Sequence, residues 1–338
     1  MAIRSRPMPP KDIPACVAHI AAHPILATRY GKLIRLLSKA IRLLLSLDYP
    51  TATLFEEVLG STHRLLGVSL AAFVTDQFLH QAKSTASFWI GPELVKRIAA
   101  GISPFLTDAQ VRDANSTAGL NLLVWHTTLY PEVHSRAEVG TAAFTALEDS
   151  YRGFHLQEIF EQADCYDQMC GMLTAGGWYF HRIAGRYGKC PNITRDNFSA
   201  EPRNIGITRE LALSTPGSWI GSLFLYGTPL CGFNRSQQRL LEASFLGDTD
   251  EEVRLKLGIS LSAVKKTWHS IYERSAALLP DLRFGSNDSQ NSPSRGPQKK
   301  QHLLAYLRQH PEELRPVSRK LVDSHLDNHP NPTRIVLR

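Results

Sequence analysis

Residues 120–130 read LNLLVWHTTLY, and this stretch decides that the first part of the chain holds a sheet. It is apolar, rich in β-branched and aromatic side chains and free of glycine and proline, which predicts a buried strand. Upstream, Gly67 introduces VSLAAFV (68–74), a second β-like run, and downstream SWIGSLFLYG (218–227) is a third. The tracts between and before them carry helical patterns: 28–47, 54–66, 92–100, 108–115, 137–149 and 156–173 are expected as helices. Residues 1–14 read as a flexible arm. Residues 176–205, with glycine, proline and asparagine throughout, read as irregular chain. Strands mixed with helices predict an α/β or α+β domain whose strand order is not legible locally.

The chain has 338 residues, room for about two domains. With 43% hydrophobic and 20% charged residues it is ordinary globular material, which excludes collagen-like, wholly disordered and coiled-coil classes. Five cysteines (Cys16, Cys165, Cys170, Cys190, Cys231) are odd in number and irregularly spaced, the pattern of thiols in a reducing compartment. The most apolar tract, 33–47, is interrupted by Arg35, Lys39 and Arg42, so no membrane span is expected. The basic N-terminus runs into prolines and an aspartate where a signal core would begin, and a cytoplasmic location is the expectation. The net charge of +7 is unevenly spread. Residues 1–50 hold eight Lys/Arg against two acids, 283–338 hold ten against five, and 233–282 are neutral. Such an excess fits nucleic acid or an anionic membrane surface as partner.

After Pro229 the pattern turns helical. Asn234 can cap a helix over 235–246, which Gly247 stops. Thr249-Asp250-Glu251-Glu252 is a capping box, and the short helix after it ends at Gly258, suited to a left-handed turn. Ser260 then caps a third helix over 261–279, closed by Pro280. Leu240, Leu241, Phe245, Val253, Leu257, Ile259, Val264, Trp268 and Ile271 can form one small core. The opposite face of the third helix shows Ser262, Lys265, Lys266 and His269, all able to meet phosphates or base edges. This is a helix-turn-helix layout. A polar linker, 283–298, and then a short helix and basic tail, 299–338, complete the chain.

The run 240–271, LLEASFLGDTDEEVRLKLGISLSAVKKTWHSI, resembles the LuxR-type (NarL/FixJ-type) helix-turn-helix without a gap. The resemblance is confined to this segment and implies a DNA-binding transcriptional regulator. Lys265, Lys266 and His269 match positions that face the groove, and Thr249, Ser260 and Ser262 match positions near the DNA backbone. Arg274 adds positive charge to the same third helix. Arg254 departs from the family's small alanine, Ala263 and Thr267 replace a usual threonine and histidine, and Pro280 cuts the fourth helix short. Sigma-factor region 4 domains share a similar Ile-Ser-x-x-Ala-Val-Lys run.

The fold class expected is multi-domain: an α/β or α+β N-terminal sensor-like domain, then an all-α helix-turn-helix domain. Residues 1–50 would be a basic arm and amphipathic helix, and 51–232 a ligand-binding sensor. Expected partners are double-stranded DNA, a small-molecule effector, a second copy in a homodimer, and RNA polymerase. No catalytic constellation, phosphate-binding loop or phospho-accepting receiver pattern is visible in 51–232, so no enzyme activity and no cofactor are expected. Two alternatives stand beside the regulator. One is an enzyme in 51–232 with the helical module as an accessory, and the other is a protein-interaction adaptor.

Four further patterns stand in the sequence. Phe73, Phe88, Trp89, Trp125, Trp178, Tyr179, Phe224 and Tyr226 read as ordinary core, with a ligand pocket as the alternative. Arg182-x-x-Gly185-x-x-Gly188 resembles an acyl-CoA loop, but its second glycine falls one place late and Tyr187 takes its site, so it reads as a Gly-rich surface turn. Cys16, His19 and His23 have metal-like spacing, with Cys165, Cys170 and Cys190 as further candidates, but no clear fourth ligand exists and no metal is expected. In 28–47, Ile34, Leu37, Ile41 and Leu44 oppose a basic stripe of Lys32, Arg35, Lys39 and Arg42. That reads as a surface helix packed on its own domain, with a dimer seam or a contact to DNA or membrane as alternatives.

Overall fold

Of the stretch 120–130, Leu120–Leu129 form a buried strand, and it sits in the middle of a sheet. The computed structural model describes residues 2–85, 88–133, 136–163, 176–182, 186–188, 203–215, 217–245, 247–279 and 296–318. They divide into a sheet unit, Met1–Ala114 with Ala118–Leu225, and a helical unit, Asn115–Thr117 with Tyr226–Arg338. The chain is therefore an α/β sheet unit followed by helices.

Among the described residues eight strands make up the sheet: β1 (Ala2–Pro7), β2 (Thr51–Leu59), β3 (Thr62–Val74), β4 (Leu120–Leu129), β5 (Leu156–Ala163), β6 (Tyr179–Arg182), β7 (Arg186–Gly188) and β8 (Arg203–Thr208). Their spatial order is β1-β2-β3-β4-β5-β8-β6-β7. Every described pairing is antiparallel except β4 with β5, which is parallel. A parallel pair needs a crossover, and the helix Ala137–Tyr151 supplies it.

Helices precede and interrupt the strands: α1 (Ile13–Ala22), α2 (Pro24–Tyr30), α3 (Leu37–Leu45), α4 (Asp76–Ser84), α5 (Ile90–Ala99), α6 (Asp108–Ser116), α7 (Ala137–Tyr151) and α8 (Arg209–Leu213). Alternate side chains of the central strands enter different cores, as the pleat requires. Leu123, Trp125 and Phe160 join Ile13, Ile20, Leu37, Ile41, Leu44 and Leu94. Leu122, Val124, Ile159 and Ile205 join Tyr151, Phe154 and Phe224.

Several expectations are corrected here. Residues 2–7 are no loose arm; they are an edge strand paired to β2 from Ala2↔Val58 to Pro7↔Thr53. Residues 54–66 are no helix but two strands turned at Gly60, whose φ of +64° favours glycine. The adjacent carboxylates that looked helical are each met from a distance. Glu56 accepts from Arg6 Nε and Nη2 at 3.0 and 2.7 Å, and Glu57 accepts from Arg136 Nη1 at 2.7 Å. Residues 156–163 are a strand because β4 and β8 pair with both edges; 164–173 lie outside the described residues. The tract 218–227 holds a 3-10 helix, Trp219–Phe224, capped by Ser218 Oγ accepting from Gly221 N at 3.3 Å. The single helix over 28–47 is broken at Gly31 (φ +47°) into α2, a 3-10 turn Gly31–Leu36, and α3. Leu37, Ile41 and Leu44 pack into the sheet unit's core, and Lys32, Arg35, Lys39 and Arg42 are exposed.

The helical unit follows its local signals closely. Capping boxes at Asn234/Gln237 and Thr249/Glu252 start α9 (Arg235–Ser244) and α10 (Asp250–Leu257). Gly258 ends α10 in the left-handed conformation, and Ser260 caps α11 (Leu261–Leu278). The nine apolar residues expected to pack together do so, with Leu303, Leu304 and Leu307 of α12 (Gly296–Gln309) added. Among the described residues no helix is long and apolar enough to cross a membrane.

Candidate active site

The parallel pair does not stay together. β4 and β5 share a ladder from Leu120↔Leu156 to Val124↔Glu161 and no further. Beyond that row β4 stays with β3, through His126↔Leu70 to Leu129↔Gly67, while β5 stays with β8, through Gln162↔Asn204 and Ala163↔Arg203. A bulge helps to turn β4 aside: Leu70 faces His126 and Ala71 faces Val124, so Trp125 is the extra residue. The sheet thus forks at the carboxyl ends of its two parallel strands, where open α/β sheets offer a crevice to ligands.

Glu161 occupies the last shared row of the fork. Its sheet neighbours in that row are Val124 and Ile205, with Phe180 beyond. It is 8% exposed. Burial among these apolar groups pushes its carboxyl up to about 8, against the opposing pull of a hydrogen bond from the Thr127 hydroxyl. Thr127 Oγ1 lies 3.3 Å from Ser69 Oγ, so two hydroxyls follow each other along the β4–β3 side of the fork. Glu158, whose row lies before the fork, is already committed: both its oxygens accept from Lys83 Nζ at 2.8 Å.

The chain leaving β4 leads into α7, whose N-cap, Arg136, makes no side-chain capping bond. First-turn amides attract negative charge. Glu138 shows this: a bond from its own backbone amide and the Arg136 side chain hold its carboxyl below the usual range.

His126, just past the bulge, is fully committed to the other face. Tyr30 Oη lies 2.6 Å from His126 Nε2 and accepts from Trp125 Nε1 at 2.9 Å. Burial, with the charges of His23 and Arg29, lowers His126 to about 3, so the imidazole is neutral near pH 7.

The residues singled out in the sequence land as follows. Cys16 and His19 are buried on α1, and His19 Nε2 donates to the Thr128 carbonyl at 2.9 Å. His23 leaves that face because the helix ends there, and its Nδ1 accepts from Leu26 N at 3.4 Å as the cap of α2. Among the described residues no cluster of three or more His, Cys, Asp and Glu is placed to hold a metal. Cys165, Cys170 and Cys190 lie outside the described residues. The stretch 182–188 supplies ends of a hairpin, β6 with β7, and not a helix start; 183–185 lie outside the described residues. Phe73, Trp125, Trp178 and Phe224 are core.

In the helical unit, Ser262, Lys265, Lys266 and His269 share the exposed face of α11, with His269 Nε2 3.1 Å from Glu273 Oε1. Thr249 and Ser260 spend their hydroxyls on helix caps. Arg274, expected to add positive charge to the third helix, donates through Nε to the Cys231 carbonyl. The fork is not legible in the sequence: Leu156, Ile159 and Phe160 fall at i, i+3 and i+4, the spacing of a helix face, so the helix expected over 156–173 hides Glu161.

No family model matches the chain, and no curated protein matches it. Solved structures do. One is a histone acetyltransferase HPA2 and related acetyltransferase from Corynebacterium glutamicum, at 12% identity, covering 61% of this chain and 96% of that one, TM-score 0.35. A second is arylalkylamine N-acetyltransferase 2 from Aedes aegypti, at 10% identity, 62% and 99% coverage, TM-score 0.34. A third is the GphF GNAT-like decarboxylase in complex with isobutyryl-CoA, at 14% identity, 61% and 98% coverage, TM-score 0.34. These neighbours bear the names of acyl-group enzymes, and the expectations of a LuxR-type transcription regulator and of a protein without enzyme activity are corrected on that finding.

Proposed function

We propose that the sheet unit is an enzyme of the acyl-transfer type, working at the fork between β4 and β5 with Glu161 as its base, and that the helical unit is an accessory. One observation carries this reading: a carboxyl shielded from water stands at the last shared row of two parting parallel strands. A carboxylate in apolar surroundings is a stronger base than in water, and one with a pKa near the working pH is suited to general base catalysis.

The step is direct transfer. A neutral amine attacks the carbonyl carbon of a thioester, the C–N bond forms and the C–S bond breaks. The ionised Glu161 carboxylate takes the proton that the nitrogen must lose, and the thiolate leaves with the electron pair and is protonated by water. Because the base form grows as Glu161 ionises, turnover should rise about tenfold per pH unit and level off above about 8.

The test is thiol release from acetyl- or isobutyryl-CoA in the presence of a panel of amines, using the full chain. Glu161→Gln, with its fold checked by circular dichroism, should lose roughly 10²–10⁴-fold in turnover and lose the pH rise. A Gln variant with full turnover and the same pH profile would remove Glu161 from the reaction.

A further inference from the structure

Among the described residues Thr127 is the side chain that hydrogen-bonds Glu161, and the bulge in β4 is what brings it there. Leu122 and Val124 of β4 share a core with Ile159 of β5, so they lie on the face to which Glu161, two residues past Ile159, also points. Thr127 is three residues past Val124, and in a regular strand it would point to the opposite face. The extra residue changes that. Trp125 and His126 both turn to Tyr30, whose hydroxyl lies 2.9 Å from Trp125 Nε1 and 2.6 Å from His126 Nε2, and their rings stack with centroids 5.6 Å apart. Two successive residues on one face return Thr127 to the face of Glu161.

Ser69 extends the row. It is the Cα partner of Thr127 on β3, and Ser69 Oγ lies 3.3 Å from Thr127 Oγ1. A hydroxyl has one hydrogen and two lone pairs. Because Thr127 gives its hydrogen to the ionised Glu161, the bond with Ser69 runs the other way: Ser69 donates and Thr127 accepts. Hydroxyls in such a chain polarise one another, so the second strengthens the bond made by the first. Charged groups stand elsewhere. In its own row and beyond, Glu161 meets Val124 of β4, Ile205 of β8 and Phe180 of β6. Arg209 of α8 donates through Nη1 to the Phe224 carbonyl at 2.7 Å. Glu158, three residues earlier, lies on the opposite face with Lys83 of α4.

We propose that Thr127 and Ser69 are positioning residues for Glu161: Ser69 turns the Thr127 hydroxyl, and Thr127 holds the carboxylate where it meets the proton of the incoming amine. Its consequence for turnover rests on the acyl-transfer reading, whereas its consequence for Glu161 itself does not. An ionised carboxylate gains more from a donated hydrogen than the neutral acid does, so the pair pulls against the burial that raises Glu161. Without it the carboxyl holds its proton to higher pH and less of the base form is present near neutrality.

The protonated carboxyl of Glu161 is read directly, with no thioester present, as the C=O band in infrared difference spectra of the full chain against Glu161→Gln. In the parent chain the band should fade with a midpoint at about 8. Thr127→Val, which keeps the branched shape and loses the hydroxyl, should raise that midpoint by about one pH unit. Thr127→Ser should restore it, and Ser69→Ala, which leaves Thr127 in place and guards against misfolding of the Val variant, should raise it by less. In turnover of acetyl-CoA with the amine panel, Thr127→Val should lose about tenfold at pH 7 and level off about one pH unit higher. A merely structural loss would lower turnover equally at every pH and leave the band's midpoint in place. An unchanged midpoint in folded Thr127→Val and Ser69→Ala chains would overturn the proposal. Failure of Glu161→Gln to alter turnover is a separate outcome, since it removes the acyl-transfer reading and leaves the band's response to Thr127 unaffected.

Discussion

In the helical unit, Glu252 bonds to Thr249, three residues away. In the sheet unit, Glu56 bonds to Arg6 across 50 residues and Glu57 to Arg136 across 79. Both regions satisfy their carboxylates, but one does so within a helical turn and the other by bringing remote strands together. A change in the helical unit should therefore cost what its local interaction is worth. One at the fork should disturb several elements at once. The chain carries a natural reporter for this contrast: of its five tryptophans, Trp268 lies in the helical unit and Trp89, Trp125, Trp178 and Trp219 in the sheet unit.

The largest expected effect is on pH dependence at the fork. Glu161 titrates higher in the folded chain than in the unfolded one, so the fold holds a proton that the unfolded chain has already released. Its contribution is complete below the ordinary carboxyl value of 4.5 and is lost as pH rises through about 8. Over that window Glu161→Gln should be the flatter of the two by on the order of 3–5 kcal/mol in urea melts. Parallel curves would mean that the carboxyl is solvated and that the fork differs little from the surface.

Gly91→Ala should follow, at about 1–3 kcal/mol, because the new methyl has nowhere to go beside Tyr30 and Trp125. The loss should be reported by the sheet-unit tryptophans and not by Trp268. If both groups shift together, the two units unfold as one and the contrast drawn here is too strong. Thr249→Ala removes one cap from α10 and should cost about 1 kcal/mol, read at Trp268. Smallest of all, Lys265→Ala with Lys266→Ala, both exposed on α11, should stay within about 0.5 kcal/mol by thermal melt. A larger loss would show that these lysines hold the helical unit together.

The same contrast explains what could be read in advance. Asn234, Thr249, Gly258 and Ser260 act on backbone groups a few residues away, so the boundaries of α9, α10 and α11 are legible from spacing alone. The strand 120–130 is legible because both its faces are apolar. Residues 54–59 and 156–163 are not, since their glutamates suit a helix until partners from elsewhere arrive. Glu158 needs Lys83, and Glu56 needs Arg6. The fork is hidden from the sequence for the same reason. The resemblance at 240–271 is local and easy to see, whereas the fork exists only where β4 and β5 meet and part.

By itself the sequence determined the helical unit's elements, the central strand β4, the run 68–74 of β3, and the helices over 92–100, 108–115 and 137–149. Tertiary structure decided the rest: that β4 and β5 run parallel and separate after Val124 and Glu161, that Glu161 is shielded from water, and that Arg29 lies on Trp89. Caps and turns are settled by backbone groups within one or two turns of chain. Strand order, register and burial depend on which distant segments close together, and no local spacing encodes that choice.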